Sequence, residues 1–169
     1  MITDADIHAS LVRWFTARTS LQVIQGEQGG EEPATPYIVV RFTGSAPVRD
    51  NIQDVEFTEL ETINTQGLKE LKAAPVIETE WRYSIHVHGS EYPSDILRPI
   101  RSAAELAQLN EPLMPGLIIH ELSQIRNVPE YVNEAWEPRA QMDLFLRGLT
   151  KDGFVVDTIE TYSFGFERV

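Results

Sequence analysis

The clearest periodic signal lies near the amino terminus. Ile7, Leu11, Trp14 and Phe15 recur at i, i+4, i+7 and i+8, the spacing that stacks side chains along one stripe of an α-helix. Thr3 precedes the stripe as a hydroxyl cap and Asp6 follows it by three, a capping box that predicts a helix running to about Arg18. After this the period shortens to two. A short segment near Leu21 to Gln25, then YIVVRFTG (37–44), DVEFTELET (54–62) and ETEWRYSIHVHG (78–89), are rich in β-branched and aromatic residues and read as strands. In the last of them Trp81, Tyr83, Ile85 and Val87 share one face, and Glu80, Arg82, Ser84, His86 and His88 share the other.

The connections are less regular. GEQGGEEPATP, residues 26–36, has the Gly, Pro and Glu content of a mobile loop that cannot build a core. Its close glycines lack the Lys-Ser/Thr of a phosphate loop, and its glutamates would repel phosphate. Residues 62–78 read as an excursion, with a helical turn at Leu68 to Lys72 ahead of Pro75. A second helix is expected from near Ser94, burying Ile96, Ile100, Ala103, Ala104 and Ala107, with Pro99 removing one internal hydrogen bond and the helix ending before Pro112. The last third returns to strands at 116–125, 137–148 and 154–164. In the middle one, Ala140, Met142, Leu144 and Leu146 form the core face against Gln141, Asp143, Phe145 and Arg147. The step from Gly148 to Gly153 is short enough for a hairpin between the final two. Helix, strands, helix, strands predicts one α+β domain over 1–169, a mainly antiparallel sheet with two helices packed on one face.

Charge narrows the function. With 14 basic residues against 26 acidic ones the net charge is −12, and only Lys69, Lys72 and Lys151 are lysines. This excludes a surface built to grip nucleic acid, which needs clustered cations. The chain has no cysteine, so disulfides and thiolate chemistry are excluded together. It shows no run of 18 apolar residues and no basic-then-apolar leader, which predicts a soluble protein made in a cytoplasm with no membrane partner.

Candidate chemistry is sparse. His86 and His88 form an H-x-H pair that could supply two metal ligands, but no third stands at metal-site spacing, and His120-Glu121 is followed by Leu-Ser-Gln rather than completing H-E-x-x-H. A small metal-dependent enzyme centred on His86, His88 and His120 is therefore the weaker alternative. No nucleophile elbow, Walker motif or dinucleotide fingerprint is present, and the acidic pairs Asp4/Asp6 and Glu56/Glu59/Glu61 read as solvated surface. The expectation is no catalytic residue, no metal and no cofactor. What remains is aromatic and polar decoration on strands. Trp81 and Trp136 read singly as core residues, but together with Tyr131 and Phe145 they suit a face covered by another subunit. The candidate interface comprises Tyr131, Trp136, Arg139, Phe145, Arg82, His86 and His88.

The ordered set of an amphipathic first helix, TPYIVVRFTG, EWRYSIHVHG followed directly by SDILRPIRSAAELAQ, and then NEAWEPRAQMDLFLRG resembles the phage neck, or tail, terminator proteins. The likeness spans about residues 4–163, and W-E-P-R-A-Q-x-D-L at 136–144 is its sharpest part. It implies a small α+β virion protein that forms a six-fold ring on the head-proximal end of the tail tube and meets the neck or connector. The tail sheath is a further candidate partner, and DNA would pass through the ring without specific binding. A head-completion or stopper protein of the same neck is the alternative within the virion. Contractile and non-contractile tails are not distinguished, and neither the 62–78 segment nor Pro99 maps onto the family pattern.

Overall fold

The computed structural model describes residues 2–27, 29, 31–65, 67–110 and 116–156. Helix α1 (Asp4–Thr19) starts as the capping pattern predicts, with Thr3 Oγ1 accepting from the Asp6 amide and the Asp6 carboxylate accepting from the Thr3 amide. It ends one residue past the expected point, at Ser20 in a left-handed conformation. Its stripe of Ile7, Leu11, Trp14 and Phe15 is fully buried. Strand β1 (Gln22–Gln25) follows and pairs in parallel with β2 (Tyr37–Pro47). Every other pairing is antiparallel.

The spine of the fold is β4 (Lys69–His88), twenty residues long and so about 65 Å from end to end. Along one edge it pairs first with β2 and then with β3 (Asp54–Ile63), which lie end to end beside it. Along the other edge it pairs with β9 (Arg139–Lys151) and then with β10 (Phe154–Val156). The expected hairpin between the last two strands is therefore wrong. Lys151 lies opposite Val76 and Phe154 opposite Ala73, so the chain runs straight on through Asp152-Gly153 in unchanged register.

The excursion at 62–78 and its helical turn are likewise corrected: residues 69–78 belong to β4. Lys and Leu at helical spacing favoured a turn locally, but pairing on both sides supplies the backbone bonds that a short helix could not. Pro75 is accommodated because on the β9/β10 edge it falls opposite the gap between the two strands.

Helix α2 (Pro93–Ala104) carries Pro99 inside it and buries Leu97, Ile100 and Ala103. Ile96 and Ala104 pack partly buried beside them. Ala107, expected on the same stripe, is exposed on a separate short helix, α3 (Ala107–Asn110). Two donors hold α3 against α1: Trp14 Nε1 and Arg18 both give hydrogen bonds to the Leu109 carbonyl, at 3.1 and 2.8 Å. The sheet is completed by β5 (Leu117–Leu122) and β6 (Arg126–Asn127) on the outer edge of β9, while β7 (Glu130–Val132) and β8 (Ala135–Glu137) form a separate small ribbon. Of the strand expected at 154–164, residues 157–164 lie outside the described residues, as do the prolines at 112 and 115.

Helices α1 and α2 cover one face of the body of the sheet. Beneath them lie Ile38 and Val40 of β2, the alternate residues Trp81 to Val87 of β4, and the predicted Ala140, Met142, Leu144 and Leu146 of β9, all buried. Trp81 is core, and its indole N–H reaches Asp4 Oδ1 at 3.0 Å, tying the start of α1 to the sheet.

Truncating Trp14 to Ala removes a fully buried ring and the tie to α3, and should cost about 3–5 kcal/mol in denaturant unfolding. Thr3→Ala, which removes only the cap, should cost about 1 kcal/mol.

Candidate interaction surface

The face of the sheet turned away from the helices carries the polar residues of β4 and β9, and nothing predicted from their alternation is displaced. Glu80 stands at its centre. Arg147 donates to Glu80 Oε2 from Nε and a terminal nitrogen at 3.1 and 3.0 Å, and Arg82 donates to Oε1 at 3.1 Å. The Arg82 guanidinium also lies 5.7 Å from the centre of the Phe145 ring, a cation–π distance. Further along, Ser84 gives a hydrogen bond to Asp143 Oδ1 at 2.9 Å, Gln141 gives one to Ser84 Oγ at 2.7 Å, and Arg126 reaches Asp143 Oδ2 at 2.6 Å. His86 lies 3.2 Å from Ser84 Oγ, beside an open cleft of about 450 Å³ bounded by Arg41, Glu27 and Asp143.

His88 does not behave as a wet strand residue. It is buried, with Tyr37 stacked on its ring at 4.8 Å between centroids and Glu137 3.0 Å from Nδ1. Gly89, which follows it, adopts φ +72 and packs against Thr35, leaving no room for a Cβ. Thus the segment 31–36 of the expected mobile loop lies over His88, and Tyr37 donates its hydroxyl to Glu32. Glu32, His88 and Glu137 bring one ligand atom each within 4.8 Å of one another. Sequence spacing could not show this set, because its members come from three distant segments. Its charges are already balanced from within: Arg139 donates to Glu137 Oε1 at 3.2 Å and pairs with Glu130. His120 is exposed on β5 at a register shift, away from His86 and His88, so the three histidines do not converge.

Tyr131 and Trp136 sit opposite each other on the β7–β8 ribbon, edge to face at 5.3 Å, and are 59% and 68% exposed. Trp136 is therefore not the core residue that it resembles singly. Indoles bury by default, but among the described residues no second layer covers this two-stranded ribbon. The candidate interface residues thus divide in two. Arg82, His86, His88, Arg139 and Phe145 lie on one sheet face, and Tyr131 and Trp136 on the ribbon that hangs beside Arg139.

A sequence model of the family described as "Phage neck terminator protein" matches residues 5–168. The chain belongs to the phage neck terminator family. A search of curated proteins returned no significant match. Among solved structures, the fold is similar to that of the sheath/tube terminator of an extracellular contractile injection system, PVC, in its extended state, at a TM-score of 0.50 and 10% identity. That likeness covers the whole of this chain but 65% of the length of the other. The expected resemblance to terminators is thus upheld by residues across nearly the whole sequence.

Three titrating groups of this terminator face, Glu80, His86 and His88, shift so that acid opposes the fold. For Glu80, burial raises the pKa, but the hydrogen bonds from Arg147 and Arg82 outweigh it and hold the carboxyl below its ordinary 4.5. Burial lowers His86 and His88, helped at His88 by Arg139 and opposed by Glu137. A depressed carboxyl stabilises the fold above its ordinary value and loses that contribution as pH falls through the lowered one. A depressed imidazole means that the unfolded chain takes up protons first, so stability also drops as pH falls below 6.5. Acidification from pH 7 should therefore lower the melting temperature in an early phase below 6.5, reduced in His86→Gln/His88→Gln to the part left by His8, whose pKa burial also lowers. A later phase near and below 4.5 should be smaller in Glu80→Gln. The single change His88→Gln should keep the fold at a cost of about 1–3 kcal/mol at pH 7.

Proposed function

We propose that this protein is a structural component of the virion: a tail terminator that forms a closed ring, six subunits around, on the head-proximal end of the tail tube and joins it to the neck or connector. The family match over residues 5–168 carries the reading. Two further features support it. The polar sheet face and the Tyr131–Trp136 ribbon are surfaces that a monomer has no need to build, and a cyclic arrangement repeats one heterologous contact without growing into a filament. The fold likeness to a sheath/tube terminator adds the tail sheath to the tube and connector as a partner class.

The role toward DNA follows from pairing rather than from net charge alone. On the polar face Arg41 pairs with Glu27, Arg82 and Arg147 with Glu80, Arg126 with Asp143, and Arg139 with Glu130 and Glu137. These cations are neutralised within the subunit. Repeating them around a ring creates no basic belt, and DNA passing through would release without counterion exchange holding it. The observations give catalysis no role in this reading, and the Glu32–His88–Glu137 set serves to fasten residues 31–36 to the sheet.

Native mass spectrometry or negative-stain imaging of the protein on isolated tail tubes should show closed rings, and labelled antibody should place it at the neck of virions. Monomers alone on the tubes, or a label confined to the portal side of the head, would rule the reading out in favour of a stopper. Purified rings should show no detectable duplex binding at about 50 mM salt, where electrostatic attraction is only weakly screened. Tight, salt-sensitive binding would mean that a basic lumen exists.

A further inference from the structure

The core face of the sheet does not end where the helices end. On β4 the residues that face the core alternate from Val87 back to Trp81, and the same side of the strand continues through Thr79, Ile77, Pro75, Ala73 and Leu71. Beyond Trp81 the core cluster under the helices contains no further residue of β4 and none of β3 or β10 among the described residues, and the buried Val76 lies on the other face. The three strands go on as an arm, tipped by the turn at 64–68. Direct pairing puts Phe57 opposite Ala73, and Ala73 opposite Phe154. One pleat pair along, Glu59 and Val156 flank Leu71, and on the other side Val55 lies opposite Pro75. Apart from Thr79 and Thr150 next to the body and the Glu59–Lys69 ion pair near the tip, the core side of the arm is apolar, and on it Phe57 is 62% exposed, Phe154 65% and Val156 37%. The reverse side carries Asp54, Glu56, Thr58, Lys72 and Lys151, with Lys151 paired to Glu56, around Ala74, Val155 and the buried Val76. An arm with its exposed aromatic rings on one face and most of its charges on the other has, among the described residues, no second layer over those rings.

The chain itself offers the missing layer. β10 runs antiparallel to β4 and reaches Leu71 at Val156, so it is heading for the tip of the arm and away from the body. Residues 157–169 follow at once, and they hold Ile159, Tyr162, Phe164, Phe166 and Val169. Tyr162, Phe164 and Phe166 alternate, the pattern of a segment with one apolar side. Only three residues of them are acidic and one basic, so little charge would be buried with them. We infer that this carboxy-terminal segment covers the apolar face of the arm of a second copy of the chain, because β10 points toward the tip and away from the body where it ends. Repeated around a closed ring, each copy gives its terminus to the next arm and receives one in return. This inference rests on the ring reading proposed above and names the contact that closes it.

The absence of cysteine allows a clean test on full-length protein. Phe57→Cys and Phe166→Cys chains, distinguished by mass, are mixed and oxidised, with Ser102→Cys on the outer side of α2 as the control partner. The expected result is a mixed disulfide dimer well above the control, and linear or cyclic multimers from the double variant Phe57→Cys/Phe166→Cys. A double variant that closes into a linked monomer would show that the terminus folds back on its own arm, and the inference falls. Rings seen by native mass without mixed cross-links would leave the terminator reading standing and remove this contact from it. As a second measurement, Phe57→Ser and Phe164→Ser should each weaken self-association by about tenfold or more with unchanged secondary structure. Unaltered rings in both variants would overturn the proposal.

Discussion

A single strand sets the geometry of this terminator. β4 pairs on both edges over most of its length, with β2 and β3 on one side and β9 and β10 on the other, and its alternation assigns the paired residues to a face. Because direct partners point the same way, one strand's parity is imposed on four others. A one-residue slip would exchange Trp81, Tyr83, Ile85 and Val87 with Glu80, Arg82, Ser84 and His86. The buried rings on one side, and the salt-bridged arginines on the other, both resist it.

The two faces are then stabilised by different physics. Under α1 and α2, fully buried side chains such as Trp14, Tyr83, Leu97 and Met142 contribute by leaving water, each worth about 1.5–3 kcal/mol. On the open face, stability comes from geometry: a two-point contact of Arg147 with Glu80, and the chain Gln141 to Ser84 to Asp143 to Arg126. Exposed ion pairs contribute little singly, but here they fix side chains that would otherwise be long, mobile cations in an acidic protein. The face is ordered before any partner arrives, which lowers the entropy lost on docking.

The arm is the part of the structure that this logic leaves incomplete. Its strands keep the parity of the spine while the helices that answer it stop short, so the hydrophobic pattern is native-like and the burial is not. The proposed ring would make such a feature tolerable. A protein that works as one copy among several can leave a layer to be supplied by assembly, whereas a monomer with the same face would be prone to aggregate.

The sequence by itself determined what depends on near neighbours. The first helix and its capping box, the faces of 81–87 and 140–146, and the family resemblance carried by W-E-P-R-A-Q-x-D-L were legible because period and cap act over a few residues. The local reading failed wherever distant segments decided. Residues 69–78 became strand because β3 and β10 paired with them, and Asp152-Gly153 stayed straight because β4 held both flanks in one register. Trp136 was left exposed because no described residue forms a layer over its ribbon. The fate of His88 shows the same limit in the candidate site. Its alternation placed it correctly on the polar face, but Tyr37, Glu32 and Glu137 bury it there, and those partners come from segments up to 56 residues away in the chain. Alternation fixes the side on which a residue lies; only the tertiary structure decides whether water or protein meets it, because burial is a property of the opposite surface and not of the strand.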